Sequence, residues 1–506
     1  MSKFSHLPAS HVLEQVFSIC QERNLAVYLV GGVPRDILRN RPTRDIDLLV
    51  QNDACGIARK VANRLQGHFY VLDNARNTAR VILYPNGQKL EVDFASQRGD
   101  TLEADLRERD FTINAMAFDL QSPHQLIDPL GGARDLHEAI LRPCSPDSIT
   151  NDPVRILRAV RFSLEYGLRM HVSLKQAIQE GISLLPQVSG ERQRDEIFRI
   201  LDSEYAAAAI RLLDQLQVTD VLFPELTAQK NLQNTSPYPE TVWEHTLSTM
   251  QSLFSILVIL CGETVREKLN NPVYGFLKLR IGNYTQSLKT YFAAPLNIDR
   301  TRRSLLQFAA LYHKADKSAQ TSIAYHMDSI HAAQSATKRA RELKLSAAEV
   351  KHIEKIVRQQ NALSPIMENG QVPSRREIYR FFRNCQGAGI EVIILFLADM
   401  LANYGVTLSQ EKWETAINIC QVMLDAYWNE IGDIINPKIL LNGDDLQRIF
   451  GLAPGPQIGV IIEAVREAQA AGEIQNRQQA LSFVEHWIKS FENHAEGEEE
   501  DGISAS

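Results

Sequence analysis

Residues 29–50 read LVGGVPRDILRNRPTRDIDLLV, and the reading of the last six decides what surrounds them. Side chains of a strand alternate between its two faces, so in DIDLLV (45–50) Asp45 and Asp47 share one side while Ile46 and Leu48 point into a core. Two carboxylates about 7 Å apart, roughly twice the strand rise, can share divalent cations. Mg²⁺ takes oxygen ligands and commonly binds through one or two carboxylates plus substrate phosphates. Gly31 and Gly32 remove side chains where the backbone turns into a helix opened by Arg35 and Asp36, leaving N–H groups accessible to a triphosphate. KLEVDF (89–94) places Glu91 and Asp93 together on one face of a second strand. Either acid would complete the set, with Asp93 the first choice and Glu91 close behind.

Working outward, LAVYLV (25–30), ARVILY (79–84) and KLEVDF (89–94) are further short strands, the last two joined as a hairpin through PNG (85–87). Residues 54–66 and 105–118 have helical spacing. Beyond about residue 150 the strand signals give way to 3.6-residue apolar spacing over 152–168, 191–216, 325–359 and 388–428. Seams fall near 141–151, 230–240 and 432–444. The 506-residue length calls for several domains, and the 44% hydrophobic, 23% charged composition is that of a globular protein. Six scattered cysteines without a CxxC pair argue against a disulfide framework or a thiolate zinc site and for a reducing cytoplasm. MSKFSHLPAS shows no signal peptide, and LFSILVILC (253–261) is too short to cross a bilayer. The net charge of −7 does not advertise nucleic acid in bulk, and EGEEEDG (496–502) reads as an acidic disordered end.

Four more motifs follow the opening stretch: RDFTINAMAFDL (109–120), IDPLGGARDL (127–136), DPVRILRAVRF (152–162) and ERQRDEI (191–197). In this order, over roughly residues 25–200, they resemble the class II tRNA nucleotidyltransferase and bacterial poly(A) polymerase family of the polymerase-β-like superfamily. The resemblance implies an α+β fold class, with a nucleotidyltransferase head of small mixed sheet and helices followed by an all-α neck, body and tail. The implied partition is head 1–145, neck 146–235, an HD-like body 236–432, a tRNA-contacting tail 433–490 and the acidic end 491–506. By position, Asp45 and Asp47 resemble the family's metal-binding pair, and Gly31, Gly32 and Arg35 its triphosphate contacts. Arg109 and Asp110 match residues that contact nucleotide phosphates and ribose. Asn114 would hold the local turn or the sugar, or sit as a helix-surface amide. Asp128, Gly131 and Gly132 read as a structural turn, and Glu191 and Arg192 as a brace.

Within the neck motif, Asp152 and Arg155 lie three apart near a helix start, so both can face one ligand. Aspartate only accepts and arginine only donates. Cytosine and adenine each present an amino donor beside a ring-nitrogen acceptor; uracil and guanine present the opposite polarity. The pair therefore selects CTP and ATP without a nucleic-acid template, and Arg158 and Arg161 extend the basic series toward phosphates. The implied reaction is attack of an RNA 3′-hydroxyl on the α-phosphate with pyrophosphate leaving, assisted by two Mg²⁺ ions. The implied partners are tRNA, CTP and ATP, with poly(A) addition the alternative activity.

Three departures mark the match: Pro34, Asn151 and Glu108 stand where the family usually has valine, an acid and arginine. Only eleven residues (94–104) separate Asp93 from Asp105, a short connection that looks like members restricted to a partial activity, particularly CC addition. Farther on, VWEHTL (242–247), FAALYHKADK (308–317) and HMDSIHAAQSA (326–336) resemble an HD-type metal phosphohydrolase domain, aligning His245, His313 and His331. The acid expected after His313 is Lys314, and a cation cannot replace a carboxylate ligand. The segment therefore reads as HD-like without its metal site, its histidines core or surface residues. In LLNGDDLQRIFGLAPGPQIG (440–459), Gly451, Gly455 and Gly459 read as a tight helix–turn–helix or an approach for RNA phosphate.

Overall fold

The computed structural model describes residues 10–42, 45–122, 125–233, 241–263, 270–297, 300–315 and 325–501, without the side chains of 45, 86, 325–328, 406 and 490–501. Most of the N-terminal decapeptide, most of the 230–240 seam and residues 316–317 of the HD-like match lie outside the described residues. The chain forms two compact units, Met1–Ile200 with Ala208–Leu222, and Leu201–Ala207 with Phe223–Ser506.

The first unit is α+β. Its elements run α1 (Ser10–Gln21), β1 (Val27–Val30), α2 (Gly32–Leu38), β2 (Asp45–Val50), α3 (Ala54–Leu65), β3 (His68–Asp73), β4 (Thr78–Leu83), β5 (Leu90–Ser96), α4 (Leu102–Arg107), β6 (Ala117–Asp119), β7 (Leu126–Ile127), α5 (Gly132–His137), β8 (Ile140–Leu141), α6 (Ser148–Asn151), α7 (Arg155–Glu165), β9 (Arg169–Met170), α8 (Val172–Gly181) and α9 (Gly190–Leu201). Seven strands form one mixed sheet in the order β3-β4-β5-β2-β1-β6-β7. The alternation read in DIDLLV holds, with Ile46 2% and Leu48 1% exposed in the core beneath the sheet. β2 pairs parallel with β5, setting Asp45 beside Glu91 and Asp47 beside Asp93. β1 runs antiparallel on the other side, bringing Val30 opposite Asp47. This register is the scaffold of the site.

Two local readings change. The helical spacing over 105–118 yields only α4, then a 3₁₀ turn at Thr112–Asn114 and strand β6. The cause is polar: the Asp110 carboxylate accepts from the Phe111 N–H (2.8 Å) and from Asn114 Nδ2 (3.0 Å), which bends the chain where helix would continue. Asn114 is thus buried in a turn rather than displayed on a helix surface. Strand β3 gave no alternation because it is the sheet edge, with Tyr70, Val71 and Leu72 all exposed.

The 127–136 motif is a structural joint. Asp128 Oδ1 and Oδ2 accept from the N–H groups of Gly132 (2.7 Å) and Ala133 (2.9 Å), capping α5. Asp135, on α5, receives the Thr112 hydroxyl and the Arg142 guanidinium, tying the 112–114 turn to β8.

The second unit is almost wholly helical. Helix Arg375–Cys385 is zipped to helix Pro456–Ala470 by Arg376–Glu467 (3.1 Å), Arg380–Glu467 (2.6 Å) and Arg383–Glu463 (2.9 Å). Gly451 ends helix Gly443–Phe450 in the left-handed region (φ 67°), and Gly455 precedes Pro456, so the 440–459 segment is a tight helix–turn–helix. The final helix, Arg477–Asp501, runs into the stretch read as a disordered end, and residues 502–506 lie outside the description. All six cysteines are free, and no single described helix is long and apolar enough to cross a membrane.

The two motif glycines should fail differently. A Cβ on Gly132 would lie 2.1 Å from the Thr112 carbonyl oxygen, a backbone atom that cannot step aside. On Gly131, nothing lies within 4 Å but φ is +73°. Gly132→Ala should therefore cost about 1–3 kcal/mol through overpacking of the joint. Gly131→Ala should cost about 1–2 kcal/mol from backbone strain alone. Urea unfolding, with a probe on the first unit, measures both; equal stability of Gly132→Ala and wild type would contradict the packing described.

Candidate active site

A cavity of about 870 Å³ opens in the first unit between the acidic strands, the 109–114 turn, α7 and α9. At its floor Gly31 adopts φ +70°, and a Cβ there would sit 2.2 Å from Asp47 Oδ2. The glycine is thus needed twice, for the backbone angle and for the space the carboxylate occupies. Asp47 and Asp93 both line the cavity. Asp45 shares the strand face by alternation, and its side chain is among those not described. Of the candidate third acids, Asp93 accepts a two-pronged bond from Arg80 (2.7 and 2.9 Å). Glu91 pairs with Lys89 (2.6 Å) and Arg80 (2.7 Å), and the Lys89 bond leads in holding its carboxyl below the usual range. Glu91 is absent from the lining; Asp93 is present.

Arg35 stands on α2 with a side chain only 7% exposed. It donates to Asn114 Oδ1 (2.6 Å), pairs with Asp36 (3.0 Å), and lies over the Tyr166 ring at 4.3 Å. Asn114 passes the connection to Asp110, whose other oxygen meets Arg158 at 2.6 and 2.9 Å. Burial by itself would raise the Asp110 carboxyl. Arg158, with the bonds from Asn114 and the Phe111 N–H, outweighs burial and holds it below the ordinary carboxylate value. Arg158 reaches on to Glu196 (3.2 Å), which also receives Arg161 (2.9 Å) and Arg199 (2.8 Å). Arg109 is held by the buried Asp105 at 3.1 Å and faces the cavity.

Asp152 and Arg155 are brought together on the same wall. Asp152 precedes α7, and its Oδ2 accepts from Arg192 (2.8 Å) with Arg155 Nε at 3.7 Å. Asp152 Oδ1 is buried and has no hydrogen-bond partner among the described residues. Arg155 is fixed by four oxygens, donating to the carbonyls of Glu108, Arg109 and Ser148 and to the Ser148 hydroxyl. Arg155, which keeps its Nε hydrogen and one on Nη2 beyond those bonds, thus stands immobilised beside an unsatisfied acceptor, a pairing complementary to an amino group next to a ring nitrogen.

The structure gathers Gly31, Gly32, Arg35, Asp47, Asp93, Arg109, Asp110, Asn114, Asp152, Arg155, Arg158 and Arg161 around one cavity and leaves Glu91 outside it. Arg158 and Arg161, read as extending the basic series toward phosphates, line the cavity and are paired with Asp110, Glu196 and Glu165. The sequence reading did not single out Glu196, the buried acid that collects three arginines. The signal was available in ERQRDEI, where an acid in an arginine-rich helix faces the arginines of a neighbouring one. Tyr166 was likewise missed, because a ring that stacks on guanidinium groups leaves no pattern in the chain.

Comparison with known proteins places this geometry. The model of the poly A polymerase head domain matches residues 27–142, that described as "Probable RNA and SrmB- binding site of polymerase A" matches 167–230, and that of tRNA nucleotidyltransferase domain 2 matches 314–484. A CC-adding tRNA nucleotidyltransferase of Geobacter sulfurreducens is 30% identical over 471 residues, covering 93% of this chain and 94% of that protein. An A-adding tRNA nucleotidyltransferase of Deinococcus radiodurans is 29% identical over 470 residues, covering 91% and 95%. The solved complex of a CCA-adding enzyme with ATP shares the fold at a TM-score of 0.60 and 24% identity, over 94% of this chain and 95% of that one. The Thermotoga maritima CCA-adding enzyme complexed with tRNA does so at 0.54 and 24% identity, over 94% and 95%. With near-complete coverage of both chains at 30% identity, and the glycine turn, acidic strands and Asp152/Arg155 wall in family order, this chain belongs to the class II tRNA nucleotidyltransferase and poly(A) polymerase family.

Proposed function

We propose that this protein is a tRNA nucleotidyltransferase that adds CMP, AMP or both to the tRNA 3′ end, taking CTP or ATP and releasing pyrophosphate. The observation that carries the reading is the unsatisfied Asp152 Oδ1 beside the immobilised Arg155, in the same cavity as Asp47 and the Gly31 turn. We assign nucleotidyl transfer to the head, 1–145, and base selection to the neck, 146–235, with 236–432 the helical body and 433–490 a tRNA-contacting tail. Gly31, Gly32 and Arg35 receive the triphosphate, and Arg109 contacts a phosphate or the ribose. Asp110 and Asn114 act by holding Arg35 and Arg158 in place, since their side chains are already committed. Arg158 and Arg161, bound to Glu196, position α7.

The donor set fits Mg²⁺. Asp47 and Asp93 are adjacent carboxylates, Asp45 shares their face, and among the described residues the lining contains no histidine or cysteine that would favour a softer metal. Asp45 and Asp47 would hold the ions, with Asp93 completing the set. Two bound Mg²⁺ ions supply activation of the attacking hydroxyl and stabilisation of charge on the leaving pyrophosphate. Arg80, bonded to both oxygens of Asp93, orients that acid.

The short 94–104 connection, which passes directly into α4, favours the partial activity of CC addition over complete CCA synthesis. The test is incubation with tRNA ending at the discriminator base, at C and at CC, with each labelled nucleoside triphosphate and Mg²⁺. Addition of two C residues to the first substrate, one to the second and none to the third is expected. Long A tails on generic RNA would overturn the tRNA reading and favour poly(A) polymerase.

Asp47→Asn should lower incorporation on the order of 10³-fold, because a metal-stabilised transition-state charge is worth several kcal/mol. Unimpaired single-turnover incorporation would defeat the assignment of Asp47. Arg192→Ala removes an exposed partner and should cost less than about 1 kcal/mol of stability. It should nonetheless lower the C-over-U incorporation ratio several-fold, because Asp152 loses the bond that orients it. An unchanged ratio would remove Arg192 from the base-selecting apparatus.

A further inference from the structure

In the second unit, helices Val242–Leu260, Arg302–Tyr312 and Gly389–Tyr404 pack against one another. At their junction His245 Nε2, His313 Nε2 and Asp399 Oδ1 converge, with separations of 2.8, 3.1 and 3.4 Å. The two imidazoles are almost fully buried. This is the layout of a facial two-histidine, one-carboxylate metal site. The sequence aligned His331 as the third member; the structure replaces it with Asp399 and leaves His331 exposed.

The polarity of the cluster is the telling feature. His313 Nδ1 lies 2.6 Å from the Ala310 carbonyl oxygen, so Nδ1 carries the proton and donates it. Its Nε2 then faces the Asp399 Oδ1 carboxylate oxygen at 3.1 Å. Asp399 is also held by Asn403 Nδ2 at 2.8 Å. A carboxylate in so dry a setting is stabilised by a positive charge beside it. Lys314, the residue immediately after His313, supplies one: its Nζ lies 3.6 Å from the same Asp399 Oδ1, on a side chain 16% exposed.

We propose that the Lys314 ammonium is a tethered cation that substitutes for a divalent metal at the His245–His313–Asp399 site, locking the three helices together and excluding the ion. A divalent ion bonded to Asp399 Oδ1 would face the ammonium's like charge within a few ångströms in a largely water-free setting, an arrangement that costs more than either cation alone. The lysine thus converts a metal-site geometry into a metal-independent structural joint, and the body carries no metal-hydrolase centre here.

The experiment uses the full chain, dialysed against Ni²⁺ and analysed for metal content, with melting recorded with and without Ni²⁺. Wild type and a His245→Ala/His313→Ala double variant should retain the same amount of Ni²⁺. Lys314→Asp should retain one further equivalent, lost again when both histidines are replaced. Lys314→Met, which keeps the stem without the charge, should melt lower than wild type and regain that loss on adding Ni²⁺. One equivalent of Ni²⁺ on the wild type that disappears in the double-histidine variant would overturn the proposal. So would a Lys314→Met variant whose melting equals that of wild type and does not respond to Ni²⁺.

Discussion

The Asp110 carboxylate lies almost wholly out of solvent and meets Arg158 at 2.6 Å, and the geometry of the cavity radiates from that pair. Through Asn114 it fixes Arg35, which stacks on Tyr166. Through Arg158 it reaches Glu196 on α9, and through the Phe111 N–H it bends the chain into the 112–114 turn. Removing one member of such a buried pair leaves an uncompensated charge, at a cost of about 3–5 kcal/mol. Because the pair joins the turn beside the sheet to the helix that carries Arg155, it fixes the distance between the Gly31–Arg35 end of the cavity and the Asp152–Arg155 end.

The acids and the wall do different chemistry. The β2–β5 register sets carboxylates side by side, where mutual repulsion favours a shared cation, and Arg80 offsets part of that repulsion from the β4 side. On the wall the logic is of hydrogen-bond polarity. Arg155 is locked by backbone carbonyls, so it enters a complex with little entropy left to lose. The buried, unsatisfied oxygen of Asp152 is a standing penalty of about 1–3 kcal/mol that a donor on the incoming base would relieve.

Much of this was legible in the sequence, because it is written in short-range pattern. DIDLLV and KLEVDF show their two faces by alternation, and Gly31–Gly32 shows its turn by residue type. What stayed hidden depends on long-range burial of polar groups. Asp110 reads as a ligand contact, but its oxygens are spent inside the fold, and nothing in RDFTINAM announces a partner 48 residues away. Glu196 and Asp399 are ordinary acids in helices until the fold places arginines and histidines around them, and Asp399 lies 154 residues from His245. Strand β3, exposed at the sheet edge, carries no alternation to read.

We propose that Asp152 and Arg155 choose the base by polarity, a choice that nucleotide binding reports. Isothermal titration of CTP, ATP, UTP and GTP in the presence of Mg²⁺, on wild type and on Asp152→Asn, isolates that choice from turnover. Wild type should bind CTP or ATP about 10- to 100-fold more tightly than UTP and GTP, and Asp152→Asn should lose most of the difference. Wild-type protein that binds UTP as tightly as CTP, or an Asp152→Asn variant with undiminished preference, would contradict it.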